Sequence, residues 1–187
     1  MRDCFYIAKS LFVRRYRLRF NPLSLPVVWF LCFLIYTGYI VYHPQTDIMP
    51  HSARILLADD DMEDRMIIED AFRDIGLEHE IAFVEDGEYV VQFLDDVNGE
   101  GNLPSLIVLD LNMPRLNGTE TLRLLKNHPV YRNIPVKIFS TSVNEIEKEQ
   151  CLQLGADAYV IKPVKYEQCI AIARDFYDFC STDAMSA

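Results

Sequence analysis

Five short apolar runs, 55-ILLA-58, 81-IAFV-84, 106-LIVL-109, 136-VKIFS-140 and 158-AYVI-161, recur along the chain with an amphipathic segment after each. Runs of four or five such residues, bounded by turn formers and separated by helical patterns, are strands of a parallel sheet buried on both faces. The intervening segments predict helices over Met62–Ile75, Glu88–Val97, Gly118–Asn127, Asn144–Leu154 and Tyr166–Cys180. In the first, apolar residues fall at Met62, Met66, Ile67, Ala71 and Ile75, and Gly76 supplies a stop. Gly87 opens the second, Pro129 follows the third, and the fourth runs into Gly155. A (βα)5 order makes this an α/β protein with a doubly wound, five-stranded parallel sheet. Its ligand site is then expected at the carboxyl ends of the strands.

Those ends carry an unusual set of residues. Asp59 and Asp60 follow the first strand, Asp110 the third, Ser140 and Thr141 close the fourth, and Lys162 follows the fifth. Carboxylates this close disfavour joint ionisation unless they are solvated, partly protonated or holding a cation. Magnesium suits them, because it is hard, takes oxygen ligands and is usually held by one or two carboxylates with help from a phosphate. A carboxylate beside such a cation can act as a nucleophile towards phosphorus. Asp110, at the end of a central strand, is the candidate. Lys162 and the Ser140 hydroxyl are placed to neutralise and hydrogen-bond phosphoryl oxygens. Asp61 reads as an ordinary helix cap.

Charge divides the chain. Residues 1–48 carry six Lys or Arg against two Asp or Glu, and the remainder twelve against twenty-six. A body so acidic repels a phosphate backbone, which argues against nucleic acid as a partner. Pro22 to Tyr42 is uncharged and of membrane-spanning length, with Arg14, Arg15, Arg17 and Arg19 just before it. As a signal anchor it would place the body on the far side of the membrane. Met49 opens a plausible compact domain, and the preferred reading makes residues 1–48 upstream sequence ahead of the true start; a membrane anchor is the alternative. The domain is expected over residues 52–182, cytoplasmic unless the anchor is real. Five cysteines without paired spacing indicate neither a disulfide framework nor zinc.

The motifs 56-LLADDD-61, 108-VLDLNMP-114, 117-NG-118, 138-IFSTS-142 and 159-YVIKP-163 resemble, in order, those of the receiver domain of two-component response regulators. That resemblance implies a flavodoxin-like receiver fold and a phosphorelay function. Asp59, Asp60 and Asp110, with the backbone carbonyl of Asn112, would bind Mg2+, and Asp110 would accept phosphate from a sensor histidine kinase. Lys162 would pair with the phosphoryl group, Ser140, Thr141 and Tyr159 would respond to it, and Pro163 would follow a cis peptide bond. The loop before the third strand and residues 127–142 look like stand-alone receivers of phytochrome-type or hybrid kinases. Only 25 residues follow Lys162, so the expected output is a binding surface on the fourth helix, fifth strand and fifth helix, met by a downstream protein. A homodimer is left open.

Two rivals belong to other classes. A magnesium-dependent phosphatase with an aspartyl-phosphate intermediate needs a second acid two residues past the nucleophile, and that place holds Asn112. A pseudo-receiver, a pure interaction module, has no physical need for all of Asp59, Asp60, Asp110, Ser140 and Lys162. The expectation is therefore a signalling protein and not an enzyme, beyond its own phosphorylation and dephosphorylation.

Overall fold

A computed structural model describes residues 53–99 and 101–183. The expectations for residues 1–48 lie outside these. Among the described residues, no helix is long and apolar enough to cross a membrane.

The elements alternate as the apolar runs demand: β1 (Ile55–Ala58), α1 (Met62–Asp74), β2 (Ile81–Val84), α2 (Gly87–Asn98), β3 (Leu106–Leu109) and α3 (Gly118–Asn127). A 3-10 turn over Tyr131–Asn133 then leads into β4 (Val136–Ser140), α4 (Glu145–Gln153), β5 (Ala158–Ile161) and α5 (Tyr166–Asp183). All pairings are parallel, in the order β2-β1-β3-β4-β5. Ala58 stands level with Leu109, so the residues after β1 and β3 emerge side by side. The order reverses between β1 and β3, and such a switch point leaves a crevice at the strand ends.

Alternation along each strand builds two cores. Leu56, Ala58, Ile107 and Leu109 face α2, α3 and α4, joined by Val90, Leu94, Leu122 and Leu125. Ile55, Leu57, Leu106 and Val108 face α1 and α5, joined by Phe72, Ala173 and Phe176. Burying an aliphatic side chain of this size contributes about 1.5–3 kcal/mol.

Helix ends are capped as their sequences suggest. Asp61 accepts from Glu63 N at the start of α1, Asp86 from Glu88 N and Tyr89 N at α2, and Asn117 forms a reciprocal capping box with Glu120 at α3.

Packing settles the buried face of α1, and one expectation is corrected. The buried residues of α1 are Ile68, Ala71 and Phe72, whereas Met62, Met66 and Ile67 are exposed. Contact with α5 selects the inward stripe. The cis bond expected before Pro163 is absent, since every peptide bond among the described residues is trans. Lys162 N reaches Ser140 O at 2.9 Å with this trans bond.

Candidate functional site: an acidic pocket closed by one lysine

β1 and β3 deliver two carboxylates into the crevice. Asp59 N donates to Val84 O at 3.1 Å and Asp110 N to Ala58 O at 2.9 Å, so the ladder bonds run up to the acids themselves. Both are buried, at 1% and 5% exposure, in a protein interior where an unpaired carboxylate is costly. Asp59 Oδ1 accepts from Asp61 N at 3.1 Å, and Asp110 Oδ2 from Asn112 N at 2.6 Å. The Arg65 guanidinium donates to the Asp59 carbonyl. Asp60 is exposed beside them.

Lys162 closes the pocket from the end of β5. Its Nζ lies 2.6 Å from Asp59 Oδ2, 2.8 Å from Asp64 Oδ2 and 3.1 Å from Asp110 Oδ1, and 5.8 Å from the Phe139 ring centroid. Burial works against the ammonium, but the hydrogen bonds to Asp59 and Asp64, with the fields of Asp59 and Asp110, prevail and push its pKa up. For Asp59 the balance goes the other way. Loss of water raises its pKa despite the pull of Lys162, and the neighbouring Asp110 adds to the rise.

One ammonium faces three carboxylates in this pocket, two of them buried. Asp59, Asp60 and Asp110 each present an oxygen, all within 4.8 Å of one another. The donors are oxygens without sulfur or imidazole, a set that fits a small hard dication such as Mg2+.

The loop after Asp110 is held by close backbone approach. Gly118 N donates to Leu111 O at 3.1 Å, and a Cβ on Gly118 would run into the Asp110 carbonyl and Leu111 Cα. Arg115 adopts a left-handed φ of 59° and pairs with the fully buried Asp86 carboxylate, while its guanidinium carbon lies 4.8 Å from the Tyr89 ring centroid.

The fourth-strand hydroxyls differ in their surroundings. Ser140 is fully buried, and its Oγ accepts from Ser142 N at 3.2 Å. Thr141 is exposed. Tyr159 OH donates to Ser142 O at 3.0 Å, and Ser142 Oγ donates to Glu147 Oε2 at 2.6 Å. Ser140, Tyr159 and α4 therefore meet at Ser142, while Asp59, Asp60, Asp110 and Lys162 form the pocket proper.

Sequence reasoning missed Asp64, Arg65, the Asp86–Arg115 pair and Glu147. Asp64 occupies the third helical position after its cap, where an acid normally serves the helix terminus. Its reach to Lys162, 98 residues away, had no signal in the linear sequence.

Residues 55–174 match the family model for the response regulator receiver domain. The probable methanogenesis regulatory protein FilR2 of Methanothrix harundinacea is 32% identical over 114 residues, 60% of this chain and 74% of FilR2. The response regulator Rcp1 of Synechocystis sp. is 32% identical over 110 residues, 58% of this chain and 75% of Rcp1. The crystal structure of its Mn(2+)-bound form superposes with a TM-score of 0.58 at 28% identity, covering 67% of this chain and 91% of that one. The phosphorylated cyanobacterial phytochrome response regulator RcpA gives a TM-score of 0.60 at 30% identity, covering 69% and 94%.

Proposed function

The chain belongs to the response regulator receiver family of two-component phosphorelays, and from that premise we propose that Asp110 is the phosphoacceptor of a sensor histidine kinase. The observation that carries this reading is one buried carboxylate, Asp110, set between a lysine and two further aspartates at a single sheet edge.

In the proposed reaction an Asp110 carboxylate oxygen attacks phosphorus and forms the P–O bond. The P–N bond of the kinase phosphohistidine breaks, its electron pair leaves with the imidazole nitrogen, and solvent supplies the proton. Asp110 needs no general base, because its carboxylate is already the nucleophilic form. Asn112 N, 2.6 Å from Oδ2, orients the carboxylate, and Lys162 compensates charge on the incoming oxygens. Asp59, Asp60, Asp110 and the Asn112 carbonyl would hold Mg2+, which when bound supplies charge neutralisation for the carboxylates and the phosphoryl group. This is self-modification and not turnover of a substrate.

The output follows from the second cluster. Recruitment of the Ser140 hydroxyl, with Thr141 beside it, towards a phosphoryl oxygen would withdraw the acceptor of Ser142 N. Ser142 also anchors Tyr159 and Glu147, so the change passes to α4, β5 and α5, the surface assigned to a downstream protein. The similarity to RcpA, a phytochrome response regulator, supports a phytochrome-type kinase as donor.

The intact mass of the chain after incubation with acetyl phosphate, with and without magnesium, tests the reading. One added phosphoryl group is expected, dependent on magnesium and absent from Asp110→Asn. No added mass in folded protein with magnesium bound would overturn it.

A further inference from the structure

The Lys162 ammonium has three protons, and it faces three carboxylates at hydrogen-bonding distance, Asp59 at 2.6 Å, Asp64 at 2.8 Å and Asp110 at 3.1 Å. Its side chain is only 10% exposed. Its donors are therefore committed before any phosphoryl group arrives. Resting on the proposed role of Asp110, we infer that Asp64 is the exchangeable counter-ion of Lys162, the partner it gives up to receive the phosphoryl oxygens.

The three partners differ in how cheaply they can be released. The side chains of Asp59 and Asp110 are 2% and 7% exposed, and stripping a cation from a buried carboxylate leaves a desolvated charge. The Asp64 side chain is 36% exposed, so water replaces the lost bond. Asp64 also sits in the first turn of α1, where the helix N-terminus favours a carboxylate without help from lysine. Water and the helix terminus are thus both at hand for Asp64 when the lysine leaves it. It is not among the aspartates whose oxygens cluster for a cation, which are Asp59, Asp60 and Asp110. Metal affinity and lysine engagement are thus carried by overlapping but different sets of acids.

Two consequences follow. Asp64 restrains Lys162 in the unmodified protein, and its charge opposes an approaching anionic phosphodonor. It is a positioning residue, acting through Lys162 without touching the reacting atoms.

The test compares the full chain with Asp64→Asn and Asp64→Glu, using acetyl phosphate as donor and intact mass as readout, at low and high salt. Magnesium affinity is measured calorimetrically, and the 15N signal of the Lys162 ammonium, assigned with Lys162→Arg, is followed in metal-free protein. The expected result is an Asp64→Asn rate about three-fold above wild type at low salt, narrowing at high salt, the size of one partly exposed charge contact. Asp64→Glu should restore the wild-type rate, magnesium affinity should stay within about two-fold, and the ammonium signal should shift only in Asp64→Asn. An Asp64→Asn rate equal to or below wild type, with fold and magnesium binding intact, overturns the inference and leaves Asp110 as phosphoacceptor. Wild-type protein that takes no phosphate overturns the proposed function and this inference together.

Discussion

The two halves of the sheet are built differently. β1 and β3 are buried at every position, and α2 beside them buries Gly87, Val90, Phe93, Leu94 and Val97. β5, at the sheet edge, is half-buried with Ile161 exposed, and α4 buries a single residue, Cys151. The α4 end is held instead by polar contacts through Ser142 and the Asn144 cap. The carboxylates thus stand on strands with little freedom to move, which preorganises a site for charge transfer. Of the elements in the proposed response surface, α4 and β5 bury few apolar residues, and such elements open locally at lower cost than a packed core.

The sharpest way to break this contrast is to remove the cation from the packed half. Lys162→Ala leaves Asp59 and Asp110 buried without their ammonium and is expected to lower stability by about 3 kcal/mol in magnesium-free buffer. Magnesium should recover part of the loss in urea unfolding. An unchanged urea midpoint would mean that the pocket is wetter than its 2% and 7% exposed aspartates imply.

A middle-sized effect is expected where the packed half hands over to β4. Tyr131 is buried, and its hydroxyl donates to Asp95 at 2.6 Å. Burial, reinforced by Asp95, pushes the phenol from 10.0 up to about 12. A pKa raised on folding gives stability that is fully present below pH 10 and lost as pH rises through about 12. Tyr131→Phe should cost about 1 kcal/mol at neutral pH and flatten this part of the alkaline decline. Tyr166, also raised to about 12 beside Asp74, remains as background. An alkaline profile that Tyr131→Phe leaves untouched would count against a buried phenol.

The smallest stability effects belong to the response surface. Val164 is 99% and Ile146 69% exposed, so Val164→Ser and Ile146→Ser should shift stability by no more than about 0.5 kcal/mol. Both should weaken capture of a downstream protein by the phosphorylated chain. A thermal shift equivalent to more than about 1 kcal/mol would show that these side chains are packed, and the contrast would collapse.

Strand limits were legible because each apolar run is short, continuous and bounded by turn residues, a pattern with few other solutions in a doubly wound sheet. All five runs are strands over the expected residues. The helices fall within three residues of their expected limits, α5 extending to Asp183. The face of α1 was not legible, because its apolar residues outnumber the stripe that α5 covers. Glu147 reads as one of several solvated glutamates until Ser142 is seen to donate to it.

The sequence by itself determined the (βα)5 order and brought Asp59, Asp60, Asp110 and Lys162 to one edge, since parallel strands present all their carboxyl ends on the same side. Tertiary structure alone decided how that edge is wired. Lys162 takes Asp64 as a third partner, the Ser140 hydroxyl accepts from Ser142 N, and the bond before Pro163 is trans. The succession of strands and helices follows from local pattern repeated along the chain. Side-chain pairing depends on rotamers and distances between residues far apart in sequence, which only packing sets.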